Sequence, residues 1–166
     1  MIDLGQREIV EDIALELKLD PDLITAIIMV ESSGNPWAVR YEPTYKYTLP
    51  DNEIRVYAEA ANCSFETLKM LQKCSFGPMQ IMAAIAYDEY GFRGYPTELC
   101  DFEKGVYYGA SHLKKFIGRY HLESDAISAY NAGSVRKKEG PTGFLYANER
   151  YVDEVSRHLR ELRKID

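Results

Sequence analysis

The chain has 166 residues, the size of one ordinary domain, and can bury a core without metals or disulfides. With 46% apolar and 28% charged residues it reads as a soluble globular chain, not a disordered one. A formal net charge of −6 argues against nucleic acid as the partner, because phosphate binding requires clustered Lys and Arg.

In chain order, MIDLGQREIVED carries acids where a secretory signal has basic residues, and it lacks a long apolar stretch, so no signal peptide is expected. Ile9, Ile13 and Leu17 recur at i, i+4 with Val10 and Ala14 beside them, which predicts an amphipathic helix within 3–19. Asp20-Pro21 is a start signal, an N-cap followed by proline at the first helical position. The helix it opens is expected over 21–32 and is stopped by Ser33-Gly34-Asn35-Pro36. Its apolar run, 23–30, is too short to span a bilayer.

Residues 35–62 have many Tyr and Pro and few periodic apolar positions, so a strand, a hairpin arm or a long ordered loop is expected there. Ser64 caps a short helix, FETLKMLQK. A further helix is expected from about 77–79 to Gly91, and a longer one over 101–120. Ser124 is expected to cap DAISAYNA, which Gly133 ends. The last helix, about 148–164, carries Val152, Val155, Leu159 and Leu162 on one stripe. Arg136-Lys137-Lys138 reads as a solvated loop. The expectation is one mostly helical domain over 1–166, with a Tyr/Pro-rich insertion at 40–74 after the second helix.

Three cysteines, Cys63, Cys74 and Cys100, show no zinc or CxxC spacing; the odd count leaves at least one free thiol, and a Cys63–Cys74 bridge stays open in an oxidising compartment. His112, His121 and His158 show no ligand spacing and are expected at the surface, so no metal and no cofactor is expected.

Three stretches carry chemistry. In IIMVESSGNP, Glu31 ends an apolar helical run. Burial and the negative end of the helix dipole both disfavour its charged form, which suits a general acid; a solvent-facing Glu at a frayed helix end is the plainer alternative. In SFGPMQIM, Gly77 permits a close backbone approach and Gln80 offers an amide that donates and accepts, although Gly-Pro is also a simple turn before a helix. In AYNAG, Tyr130 and Asn131 stand between small residues, where a plain helix C-cap is the other reading.

Together these blocks resemble the catalytic domain of the soluble, Slt-type lytic transglycosylases, relatives of goose-type lysozymes. PDLITAIIMVESSGNP looks like the family's glutamate–serine motif, FGPMQIM its Gly-x-Met-Gln motif, AYNAG its Ala-Tyr-Asn-Ala-Gly motif, and NERYVDEV the segment supplying a late tyrosine, Tyr151. The blocks stand in family order across most of residues 10–160. Departures are Pro78 within the Gly-x-Met-Gln motif and the spacing of Glu31 and Gly77, which are 46 apart, as the insertion at 40–74 explains.

The resemblance implies a lysozyme-like helical fold and cleavage of the MurNAc-β-1,4-GlcNAc bond of peptidoglycan with formation of 1,6-anhydroMurNAc. It implies that Glu31 is the single acid/base, that Ser32 steadies Glu31 or an acetamido group, and that Met79 and Gln80 line sugar subsites. Tyr130 would hydrogen-bond Glu31, Asn131 would contact an acetamido group, and Tyr151 would close the site. The partners implied are glycan strands acted on by a monomer, without nucleic acid or membrane insertion. The alternative is a muramidase that draws a second carboxylate from Glu42, Asp51 or Glu53; a non-catalytic wall-binding or virion module is the third reading. The route to the wall stays open between a phage lysis or virion enzyme and an exported enzyme trimmed to this domain.

Overall fold

A computed structural model of the chain describes residues 2–140 and 143–164. Helices dominate: α1 (Leu4–Leu17), α2 (Pro21–Ser32), α3 (Asp51–Ala60), α4 (Phe65–Leu71), α5 (Ala83–Tyr90), α6 (Phe102–Arg119), α7 (Glu123–Ala132) and α8 (Glu149–Leu162). Among the described residues five short strands accompany them: β1 (Val39–Tyr41), β2 (Cys74–Phe76), β3 (Ile81–Met82), β4 (Lys137–Gly140) and β5 (Gly143–Tyr146). The mostly helical class is as the sequence predicts. The chain divides into two compact units, one of Met1–Ser33 with Ala110–Asp166 and the other of Gly34–Gly109.

In the first unit, α1 starts on a capping box between Asp3 and Gln6 and ends on Lys18 in the left-handed conformation. Asp20 caps α2 through its side chain, Pro21 follows, and Ser33 at φ 56° stops the helix. Six consecutive residues of α2, Leu23 to Ile28, are buried. An apolar helix of this kind needs neighbours on several sides, and α2 packs against both α1 and α8. Val152, Val155 and Leu159 form the buried stripe of α8, while Leu162 is half-buried. Arg163 ties the end of α8 to Asp20 at 2.6 Å and to Glu123 at 3.3 Å.

β4 and β5 pair antiparallel as the two arms of a hairpin, Lys137 opposite Tyr146 and Gly140 opposite Gly143, where the sequence reads Arg136-Lys137-Lys138 as a solvated loop. Lys137 and Lys138 therefore stand on a strand, not in a loop. Lys137 lies 2.9 Å from Asp125 of α7, and the Tyr146 hydroxyl contacts Asp125 at 2.6 Å and Ser124 at 2.8 Å. Ser124 is thus a partner of the hairpin and not the cap of α7, which begins at Glu123 after Leu122 with no side-chain cap.

Burial opposes ionisation of Asp125, but the bonds from Tyr146 and Lys137 outweigh it and hold the carboxyl below its usual value. A carboxyl depressed on folding contributes stability above its unfolded pKa of about 3.9, and loses it as pH falls through the lower folded value. The stability gap between wild type and Asp125→Asn should accordingly be open at neutral pH and close below about pH 4. Thermal melts across that range check this.

In the second unit, β1, β2 and β3 form an antiparallel sheet in that order. Its core gathers Leu49, Ile54, Ala58, Leu68, Phe76, Ile81, Tyr87 and Leu99. Residues 51–60, expected as strand or loop, form α3. The signal was the Ile54/Ala58 pair, which buries one helical stripe. Ser64 caps α4 as predicted. The helix expected from 77–79 begins only at Ala83, because residues 77–80 make a tight turn that leads into β3. All three cysteines are free thiols, with Cys74 and Cys100 buried. Burial pushes both of those thiols up, so each is a packing group and not a thiolate nucleophile at neutral pH.

Candidate active site

Glu31 stands in the last turn of α2, half-buried, where the apolar run meets the left-handed stop at Ser33. Tyr151, in the first turn of α8, donates its hydroxyl to Glu31 Oε1 at 2.7 Å. Since α2 and α8 pack along each other, this bond fixes the carboxyl against a rigid neighbour. Ser32, the next residue, donates its hydroxyl back to the Ile28 carbonyl at 3.2 Å and so closes the helix end.

AYNAG forms the end of α7. Tyr130 is buried, 8% exposed, and its ring lies 5.7 Å from that of His112 on α6. His112 was expected at the surface; it is only 6% exposed, packed between Tyr130 and Phe116. A histidine at an inward position of a helix is a flat ring as much as a base, and the lack of ligand spacing said nothing about its burial. Asn131 is exposed and Gly133, at φ 75°, ends the helix.

Asn148, immediately before α8, joins Asn131, although the sequence marks it only as a helix start. Its amide contacts Asn131 Oδ1 at 3.0 Å and the Ser128 carbonyl at 3.0 Å, and it accepts the Ser128 hydroxyl at 2.7 Å. The first unit thus brings Glu31 to Tyr151 and Asn131 to Asn148.

The second unit holds the Gly-x-Met-Gln block. Met79 is fully buried within the same turn as Gln80, which stands at φ 49°. Left-handed backbone strains any residue but glycine by about 1–3 kcal/mol, and three bonds offset it. Both amide hydrogens of Gln80 are used, on the Ala38 carbonyl at 2.9 Å and the Gly77 carbonyl at 3.0 Å, while its oxygen accepts the Ser75 hydroxyl at 2.9 Å. The Gln80 amide, which the resemblance implies at a sugar subsite, braces its own turn.

Residues 40–74 take in most of β1, α3, α4 and the start of β2. Tyr41 and Tyr47 are exposed, and Tyr45 lies edge-on to Tyr47 at 5.8 Å. Tyr57 instead points inward, 5.2 Å from Tyr87 and 5.1 Å from the Arg93 guanidinium. Burial first, then the charges of Glu89 and Asp88, push Tyr45 up to about 12, so it is a neutral hydroxyl at any physiological pH. Among the described residues no three of His, Cys, Asp and Glu gather as a metal site. No helix among them is long and apolar enough to cross a membrane.

The model of the transglycosylase SLT domain matches residues 8–143, most of the chain, and the chain belongs to that family. The family is one of peptidoglycan lytic transglycosylases, so the substrate class is cell-wall glycan. The matched stretch contains Glu31, Ser32, Met79, Gln80, Tyr130 and Asn131; Asn148 and Tyr151 lie beyond it. No curated protein and no solved structure matches the chain.

Proposed function

We propose that this chain cleaves the MurNAc-β-1,4-GlcNAc bond of peptidoglycan without water, using Glu31 as its one acid and base. The observation that carries the reading is the half-buried Glu31 carboxyl at the end of a rigid apolar helix, aimed by the Tyr151 hydroxyl at 2.7 Å. Protonated Glu31 gives its proton to the bridging oxygen, and the bond from that oxygen to the muramoyl C1 breaks. The resulting carboxylate takes the proton of the muramoyl 6-hydroxyl, whose oxygen bonds to C1. The products are a free 4-hydroxyl on GlcNAc and a 1,6-anhydro ring, and Glu31 ends protonated as it began. Tethering the nucleophile to the substrate replaces the positioned water and second carboxylate of ordinary glycosidases, because intramolecular attack carries a high effective molarity.

Asn131 contacts an acetamido group, Ser32 and Tyr130 order the Glu31 end of the site, Tyr151 holds the carboxyl, and Met79 and Gln80 support a sugar-facing turn. Residues 40–74 present Tyr41 and Tyr47 as faces for sugar rings, with their hydroxyls in water. The monomer acts on glycan strands.

The acids of the insertion support this outcome over hydrolysis. Glu42 is paired with Arg40 at 2.5 Å and Asp51 with Lys69 at 2.7 Å, and Glu53 is exposed in the first turn of α3. Digests of purified peptidoglycan should give mainly anhydro ends, lighter than hydrolysed ends by one water. The Glu42→Gln, Asp51→Asn, Glu53→Gln triple variant should alter affinity while leaving that product mass unchanged. Reducing-end muramic acid as the main product, together with loss of turnover in the triple variant, would establish the muramidase instead.

A further inference from the structure

Asparagine before a helix ordinarily turns its side chain onto the helix's own free N–H groups. Asn148 makes no such cap on α8. Its backbone carbonyl accepts from Tyr151 N at 2.9 Å, but its side chain is spent on α7. A local rule broken in this way marks a constraint from elsewhere.

The polarity of the network follows from one atom. The Ser128 carbonyl oxygen is backbone and can only accept, so the Asn148 atom 3.0 Å from it is the amide nitrogen. The other Asn148 atom is then the oxygen, and it takes the hydroxyl of Ser128, which is wholly buried. The second hydrogen of that same nitrogen points at Asn131, whose facing atom must accept and is therefore its oxygen. Asn131 is thereby left exposed with its NH2 outward.

We infer that Asn148 is a positioning residue that locks the Asn131 carboxamide as a hydrogen-bond donor toward substrate, so that the site selects a sugar bearing a carbonyl acceptor, the N-acetyl group, over its de-N-acetylated counterpart. This rests on the peptidoglycan reading above and adds which atom of the acetamido group is recognised, and why. An ammonium in place of the acetamido group has donors only, and two donors face to face leave a hydrogen bond unmade, worth on the order of tenfold in binding.

Asn148→Asp tests it. Aspartate keeps an acceptor for the Ser128 hydroxyl and is a good residue before a helix, but it cannot donate. Asn131 then turns its NH2 toward the carboxylate and its oxygen outward. The measurement is the affinity for peptide-free glycan strands, fully N-acetylated and chemically de-N-acetylated, in about 0.15 M salt. Wild type should prefer the N-acetylated strand by about tenfold. Asn148→Asp should lose or reverse that preference through KM, with kcat at saturation little changed. Asn52→Asp, exposed on α3, adds the same charge elsewhere and should leave the preference alone. Asn131→Asp, an exposed change that keeps an acceptor for the Asn148 amide, should also abolish the preference by presenting a carboxylate oxygen.

A wild-type preference retained by Asn131→Asp, or by a folded Asn148→Asp, overturns the inference, as does an equal loss in Asn52→Asp. The reading of Glu31 fails separately, if Glu31→Gln still lyses walls while the preference follows Asn148.

Discussion

Glu31→Gln should fold, melt near the wild-type temperature and lose nearly all lysis of cell walls. Glutamine is isosteric with glutamate and keeps a carbonyl that accepts the Tyr151 hydroxyl, so the contact between α2 and α8 survives the change. What it removes is the proton that must leave with the bridging oxygen and the base that must take the 6-hydroxyl proton. A positioned acid or base contributes roughly a hundred- to ten-thousand-fold per step, and here one group serves both steps. Turbidity clearing by the variant at near the wild-type rate would remove Glu31 from the mechanism. A variant that clears slowly and also melts early would mean that Glu31 serves mainly to join the two helices. Measuring lysis and Tm on the same preparation separates these outcomes.

The helices at both ends of the chain were legible because each carries local punctuation. Asp20-Pro21 before α2, Gly133 after α7 and the Val152/Val155/Leu159 stripe of α8 each state a boundary or a buried face within a few residues. The elements that were missed depend on distant partners. β4 reads as a run of basic residues, and only Asp125 and Tyr146, placed by folding, make it one arm of an anchored hairpin. α3 follows a Pro-rich stretch, and two buried positions, Ile54 and Ala58, were too few to stand out among tyrosines.

The site divides in the same way. Glu31 could be picked out because its chemistry contradicts its surroundings, a charge at the end of an apolar helix. Asn148 looks like any residue before a helix, and its bonds span 17 and 20 positions to α7. Gln80 shows the reverse case: the motif marks it, and the structure gives its amide a local, structural set of partners.

Gly77→Ala should be among the most destabilising single-methyl additions in the chain, and three glycines together separate the reasons. Gly77 has φ +74°, and a Cβ built on it would overlap the Leu99 carbonyl oxygen. Gly105 confines that same oxygen from another side, since its own Cβ would lie 2.5 Å away, so the carbonyl has little room to retreat. Left-handed backbone costs an L-residue about 1–2 kcal/mol, and forcing a methyl into a packed site typically costs another 1–3 kcal/mol or more. Against a total stability of about 5–15 kcal/mol the sum is large, and at about 2–4 °C per kcal/mol it lowers Tm by roughly 10 °C. Gly91, at φ +65° with nothing within 4 Å of a Cβ, carries the backbone cost alone, so Gly91→Ala should lose only about 1–2 kcal/mol. Gly118, in α6 with open space and no positive φ, carries neither cost, and Gly118→Ala should raise stability by about 0.5–1 kcal/mol. The expected order of Tm is therefore Gly118→Ala above wild type, Gly91→Ala below it, and Gly77→Ala far below. If Gly77→Ala melts with Gly91→Ala, the close approach of the Leu99 carbonyl contributes nothing, and the glycine of this motif is required by its backbone conformation alone.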